Sequence, residues 1–100
     1  MNININSVKF TASQRLESFI ETKVSKLNNY SDDIIAADIF LRLENTQDME
    51  NKVAEIKVEI PGNELFAKKQ CKTFEESVDT AVEALRKQIT KRKEKRKIAS

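Results

Sequence analysis

The chain has one proline and one glycine among its 100 residues, and they stand together as Pro61 and Gly62. These two residue types interrupt regular secondary structure more strongly than any others. A chain with so few of them must therefore place most of its residues in long, regular elements, with one tight turn at 61–63. Hydrophobic residues form 39% of the chain and charged residues 34%, a balance typical of a globular domain with one modest core.

Alternation of polar and apolar residues predicts strands, because successive side chains of a strand point to opposite faces of a sheet. The alternating stretches cover residues 2–6, 34–44, 53–60 and, more weakly, 64–72. In the last stretch Lys69 shares the parity of the apolar residues, which makes it the weakest prediction. The polar residues 45–51 predict a loop between the second and third strands.

Two other stretches repeat apolar residues at helical spacing. The first predicts a helix over roughly 13–29, with Thr11 and Ser13 as competing N-caps. The second begins after Thr73, which opens a capping box, and its apolar stripe extends to Ile89. The order β-α-β-β-β-α predicts an α+β fold: a four-stranded, mostly antiparallel sheet with both helices packed on one face. The first two strands are predicted to be parallel because a helix connects them.

Several functional classes are disfavoured by what the sequence lacks. There is no histidine, and no phosphate-binding glycine loop, nucleophile elbow or paired-cysteine motif occurs. The single Cys71 cannot form an internal disulfide, no apolar run approaches the ~20 residues of a membrane span, and no signal peptide is evident. We therefore predict a cytoplasmic protein that is not an enzyme and uses no metal or cofactor.

The second helix is strongly polarised in charge. Residues 74–85 contain four acids and no base, whereas residues 86–97 contain eight bases and one acid; the remaining 88 residues carry a net charge of −5. Beyond Ile89 the apolar stripe continues as Arg92 and Arg96, so we predict that the helix leaves the core near Ile89 and projects about two turns into solvent. Like charges one turn apart repel, and a polyanionic partner would offset that repulsion. The alternative is a solvated, frayed basic tail.

The first helix adds a basic edge that includes Lys23 and Lys26, opposite an acidic edge. If the helices pack side by side, this edge could join the basic end of the second helix and face a phosphate backbone. Lys23 could equally be a lysine that only borders the core. Phe40 and Phe66 are predicted on the open sheet face, where they could cover the sheet or stack on a base. Motifs that read bases are absent, so we expect contacts to phosphate and shape.

Two segments resemble a known family, the ribosome hibernation-promoting factors and ribosome-associated inhibitors. The first is FIETKVSKLNNY and the second is SVDTAVEALRKQITKRKEK. The second matches the family's last helix at Asp79, Ala81, Val82, Leu85, Gln88, Lys91, Lys93, Glu94 and Lys95. The resemblance covers nearly the whole chain, although Glu75, Ala84 and Thr90 depart from the pattern. Relative to that family the chain looks like a short form, without the second, dimerising domain of the long form.

This resemblance implies a fold similar to a double-stranded-RNA-binding domain, and a single ribosome-binding domain over residues 1–100. It further implies binding to the 30S side of the subunit interface, against small-subunit rRNA in the mRNA and tRNA channel, with inhibition of translation in stationary phase. Together with the charge pattern it gives the candidate rRNA-binding residues Lys23, Lys26, Arg86, Lys87, Lys91, Arg92, Lys93, Lys95 and Arg96. We expect no membrane or small-molecule partner, and a monomer when free. A stand-alone double-stranded-RNA or general RNA-binding module is the alternative, and a module that binds an acidic protein is a third interpretation.

Overall fold

The computed structural model describes residues 1–45, 47 and 49–99, and the side chains of these residues up to 92. The elements, in chain order, are β1 (Asn2–Ser7), α1 (Gln14–Ser25), a 3₁₀ helix (Lys26–Asn29), β2 (Ala36–Leu43), β3 (Lys52–Ile60), β4 (Asn63–Cys71) and α2 (Phe74–Ala99). The predicted order of elements is confirmed. The first helix has the predicted extent, but its last turn is the tighter 3₁₀ form.

The strands form one sheet in the order β1-β2-β3-β4. β1 pairs with β2 in parallel, and β2, β3 and β4 form an antiparallel meander. The predicted sheet is therefore confirmed, including its weakest strand. Its register places Ile39 opposite Ile56, and Ile56 opposite Ala67, so that apolar residues form a continuous row on one face.

The core lies between this apolar face and the two helices. Its fully buried members include Ile20, Val24, Leu27, Ala37, Ile39, Leu41, Ala54, Ile56, Val58, Val78, Ala81 and Leu85. Since apolar side chains from every strand and helix meet there or pack against its margin, burial of one surface orients all six predicted elements. The stripe of α2 ends at Ile89, whose side chain is only 4% exposed.

Side-chain caps define where both helices begin. Ser13 Oγ accepts a hydrogen bond from the Leu16 backbone N–H at 3.1 Å, so Ser13 rather than Thr11 is the N-cap of α1. Thr73 Oγ1 accepts from the Glu76 N–H at 3.1 Å at the start of α2. The Phe10 and Phe74 rings stack with centroids 5.0 Å apart, which joins the connection before α1 to the first turn of α2.

The turn between β3 and β4 consists of Pro61 and Gly62, flanked by the paired residues Ile60 and Asn63. Gly62 has φ +77°, and proline fixes φ near −65°, which together are the values of a type II turn. No atom lies within 4 Å of where a Gly62 Cβ would stand. Glycine is therefore required by the backbone conformation and not by lack of space.

Candidate nucleic-acid interface

The helices pack side by side, and this brings the basic edge of α1 to the middle of α2. Lys23 is half-buried, with its Nζ 3.2 Å from Asp79 Oδ1 on α2 and 5.6 Å from the Phe19 ring centroid. Both interpretations of Lys23 thus have a structural basis: its stem borders the core, and its ammonium group lies at the surface between the helices.

Arg86 lies on the same side of α2 and is held by two neighbours. Its Nε donates to both carboxylate oxygens of Glu83 at 3.0 Å, and its Nη2 donates to Oε1 of the same group. Its guanidinium carbon lies 5.7 Å from the centroid of the Tyr30 ring. The hydrogen bonds from Arg86 lower the pKa of Glu83, and the same bonds raise the pKa of Arg86.

A cleft of about 160 Å³ lies between the two helices, bordered by Lys23, Lys26 and Arg86 with Tyr30 at one side. Asp79 and Glu83 also line it. Sites for drug-sized molecules usually occupy ~300–1,000 Å³ and are mostly apolar. This cleft is smaller and rich in charge, so it is suited to one anionic group of a larger partner.

Lys87 and Lys91 lie beyond the cleft, both exposed and one helical turn apart on α2. Lys87 is close enough to Glu83 to help lower the pKa of that carboxylate. The Lys26 and Lys91 side chains form no ion pair with any residue in the described part of the chain. Their positive charge is therefore available to a partner.

Arg92 has surroundings that differ from those of a solvent-projecting residue. Its side chain is half-buried and borders a cleft with Asp32, Asp33, Ile60 and Ile89. The sequence indicated that the core-facing side of α2 becomes cationic at Arg92. It did not show that an acidic loop, which contains Asp32 and Asp33, lies against that side. Arg92 is thus less available to an external anion than Lys91.

The helix continues from Ile89 to Ala99, which corresponds to about 15 Å along its axis. This segment carries the remaining candidate residues Lys93, Lys95 and Arg96, whose side chains lie outside the described set. The described candidates therefore divide into a group at the cleft between the helices, an exposed pair on α2, and Arg92 beside the acidic loop.

Sequence reasoning missed Tyr30, Asp79 and Glu83 as members of this surface. Tyr30 and Asp79 stand in the two segments that match the family pattern, and Glu83 precedes Arg86 by three residues, a spacing at which side chains on a helix meet. These signals were present in the sequence. However, only the packing of α1 against α2 shows that all three residues lie at one cleft.

The opposite face of the sheet has a different character. Phe40 is 37% exposed and Phe66 is 53% exposed, as predicted. On the same face, Arg42 of β2 donates to Oε1 of Glu55 on β3 at 2.6 Å and to Oε1 of Glu44 at 3.0 Å. Positive charge on this face is thus largely balanced by neighbouring carboxylates. The helical side also has paired cations, but it adds Lys26 and Lys91, which form no ion pair among the described residues, and is therefore the better candidate for contact with a polyanion.

Two kinds of feature are absent from the described residues. No helix among them is long and apolar enough to cross a membrane. No cluster of three or more potential metal ligands (histidine, cysteine, aspartate or glutamate) occurs in the described part of the chain.

Curated relatives match over almost the whole chain. A ribosome hibernation promotion factor of Bacillus subtilis is 31% identical over 97 residues, which cover 95% of this chain but 50% of that protein. Ribosome hibernation promoting factors of Klebsiella oxytoca and Pseudomonas putida are 28% and 24% identical, and the matches cover 96% and 89% of their lengths. The chain thus spans about half of the Bacillus relative and most of the other two.

Solved structures share the fold. A ribosomal subunit interface protein from Coxiella burnetii superposes with a TM-score of 0.82 at 22% identity, over 93% of this chain and 98% of that one. The N-terminal domain of Thermus thermophilus Protein Y gives a TM-score of 0.79 at 24% identity, over 91% and 98% of the two chains. Residues 3–97 match the family model described as "Sigma 54 modulation protein / S30EA ribosomal protein", and the chain belongs to that family.

Proposed function

We propose that this protein is a ribosome hibernation factor that binds small-subunit rRNA through the cationic side of its two helices. The observation that carries the proposal is the placement of Lys23, Lys26 and Arg86 at one cleft, with exposed Lys87 and Lys91 further along α2. The names of the curated relatives support a role in ribosome hibernation. Binding to a ribosome would place the protein in the cytoplasm.

Affinity in this proposal comes from neutralisation of phosphates. Each lysine or arginine that replaces counter-ions on RNA contributes to the binding free energy, and this contribution becomes smaller as the salt concentration rises. The side chains at the cleft and on α2 offer charge, one tyrosine ring and no array of amide groups that could read base edges. The protein therefore recognises the spacing of phosphates on folded rRNA rather than a base sequence.

Inhibition would follow from occupancy and not from chemistry. A compact domain in the mRNA and tRNA channel of the 30S subunit excludes both ligands sterically, so translation stops while the protein is bound. The candidate contact residues are those predicted from the sequence, including Lys93, Lys95 and Arg96 on the last turns of α2. Such a protein would act in stationary phase, when idle ribosomes accumulate.

The test replaces Lys87, Lys91, Lys93 and Lys95 with glutamine and measures co-sedimentation with 30S subunits across a salt series. With six to eight phosphate contacts, the wild type should show a log–log slope of roughly −4 to −7. We expect the magnitude of this slope to be smaller by about 3 to 4 in the variant, and the variant to dissociate from 30S subunits at physiological salt.

A matched control carries the same change in charge on other surfaces, with Lys9, Lys57, Lys68 and Lys72 replaced by glutamine. These residues belong to the connection after β1, to the open sheet face and to the connection before α2. The control should bind nearly as the wild type does. Equal binding by the α2 variant and the wild type at physiological salt would disprove the proposed interface.

A general RNA-binding module is the second candidate, because a cleft that contacts only phosphates could also accept other folded RNA. Competition distinguishes the two functions. If a ribosome is the partner, a free RNA hairpin at equal phosphate concentration should not displace the protein from 30S subunits. Displacement by the hairpin would favour the general module.

A further inference from the structure

Two cations at the cleft between α1 and α2 are already paired with carboxylates of the same protein. Lys23 pairs with Asp79, and Arg86 pairs with Glu83. Asp79 and Glu83 are four residues apart, so they form one acidic edge along α2 directly beside the cationic cleft. In a surface that binds phosphate, such carboxylates oppose binding because they carry the same sign of charge as the phosphate.

The geometry at Arg86 shows what Glu83 occupies. A guanidinium group binds a carboxylate or a phosphate through a pair of adjacent N–H groups. Glu83 takes the Nε and Nη2 donors of Arg86. Because these two donors form one fork of the guanidinium, a phosphate that used the same fork would have to displace the carboxylate.

Glu83 is also a persistent competitor at neutral pH. Its pKa is lowered chiefly by the hydrogen bonds from Arg86. The carboxylate therefore remains ionised at every pH at which ribosomes function, and it is only about half shielded from solvent, with 52% of its side chain exposed. An exposed ion pair of this kind is weak enough to be exchanged for a stronger anion.

Arg86 has a second support that does not depend on Glu83. Its guanidinium lies over the Tyr30 ring, which follows the 3₁₀ helix and is itself partly exposed. A cation over an aromatic ring is attracted by the negative face of the ring. Tyr30 can thus retain Arg86 at the cleft after Glu83 is displaced, so Glu83 is not needed to position the guanidinium.

We propose that Glu83 and Asp79 are internal counter-ions that rRNA phosphates must displace, so that the protein's own carboxylates restrain its affinity for RNA. This inference rests on the proposed function and adds a determinant of specificity to the same site. Breaking an internal ion pair costs part of the binding free energy that one phosphate contact supplies. Tight binding therefore requires several phosphates to contact the protein at the same time. A single phosphate or a flexible strand gains little at the cleft.

The test measures the Kd of the 100-residue chain for 30S subunits at one fixed salt concentration. Glu83→Gln should tighten binding about two- to five-fold, the range expected for loss of one exposed competing ion pair. Glu59→Gln is the matched control, because Glu59 is an exposed β3 residue on the opposite face of the sheet and its loss changes the net charge equally. The control should change Kd by less than about two-fold, since surface charges at that distance are largely screened.

A double variant shows whether the gain acts through Arg86. In an Arg86→Gln background the Glu83→Gln substitution should give no gain beyond that of the control. The proposal is overturned if Glu83→Gln weakens binding, if it matches Glu59→Gln, or if its gain persists without Arg86. Failure of the wild type itself to bind 30S subunits would instead refute the proposed function, so the two failures are distinguishable.

Discussion

At the scale of single residues, the ion pair between Glu83 and Arg86 gives a direct prediction about pH. The hydrogen bonds from Arg86 lower the pKa of Glu83 from its ordinary value of 4.5. A carboxyl group with a lowered pKa stabilises the folded state above its unfolded pKa, and this contribution is lost as pH falls through the folded pKa. The window is therefore the acidic range below 4.5, and the interaction is fully present at neutral pH.

The measurement is an NMR titration of the side-chain carboxyl of Glu83 in the wild type and in an Arg86→Gln variant. The wild type should titrate below 4.5, and the variant should return toward that value. A Glu83 pKa that does not move in the variant would show that Arg86 does not hold this carboxylate in solution.

Individual residues are also where sequence reasoning was least informative. Ser77 is fully buried, and its hydroxyl donates to the Lys52 carbonyl oxygen at 2.6 Å, joining α2 to the start of β3. Lys9 has φ +64°, a left-handed backbone that lysine rarely adopts. Neither feature has a local signature, because each depends on how distant parts of the chain meet. The pairing of Lys23 with Asp79 and the position of Arg92 beside Asp32 and Asp33 escaped prediction for the same reason.

At the scale of elements, the periodicity of the sequence was sufficient to predict strands and helices. Burial of one face forces alternation in β3 and a helical stripe in α2, so both patterns are visible along the chain. β4 was harder, because Lys69 lies at a position of the same parity as Leu65 and Ala67. The 3₁₀ turn after α1 could not be distinguished from a continued α-helix, since both keep Leu27 at the core.

The attachment of α2 to the sheet can be tested with one matched pair of substitutions. Leu85 is 0% exposed within the core, whereas Leu43, at the end of β2, is 53% exposed. Leu85→Ala should lower the free energy of unfolding by about 2–5 kcal/mol, because it removes buried methyl groups and leaves a cavity. Leu43→Ala should cost less than about 1 kcal/mol, since its side chain is already largely solvated.

Urea denaturation of the two variants and the wild type gives these free energies. Losses of equal size would mean that α2 is not packed on the sheet through Leu85 as described. The result matters for function because α2 carries both the core stripe and the cationic segment. A helix that is firmly packed up to Ile89 can hold the residues beyond it in a fixed direction.

At the scale of the whole molecule, charge and shape together favour one side as the proposed binding surface. The net charge is only +2, yet residues 86–97 carry eight bases and one acid. The helices place Arg86, at the start of this segment, beside the basic edge of α1. On the sheet face, Arg42 and Lys68 lie near Glu55. The sequence predicted the polarity of α2, but the cleft with its two internal carboxylates required the three-dimensional packing.

The most direct test of the central proposal is to ask which face of the protein touches rRNA. A photoreactive p-benzoylphenylalanine is placed either at Tyr30, beside the cationic cleft, or at Phe66, on the open sheet face; both sites are exposed aromatics. After binding to 30S subunits and irradiation, cross-links to small-subunit rRNA should form from position 30, and those from position 66 should be far weaker. Cross-links to rRNA confined to position 66 would contradict the proposed helical interface.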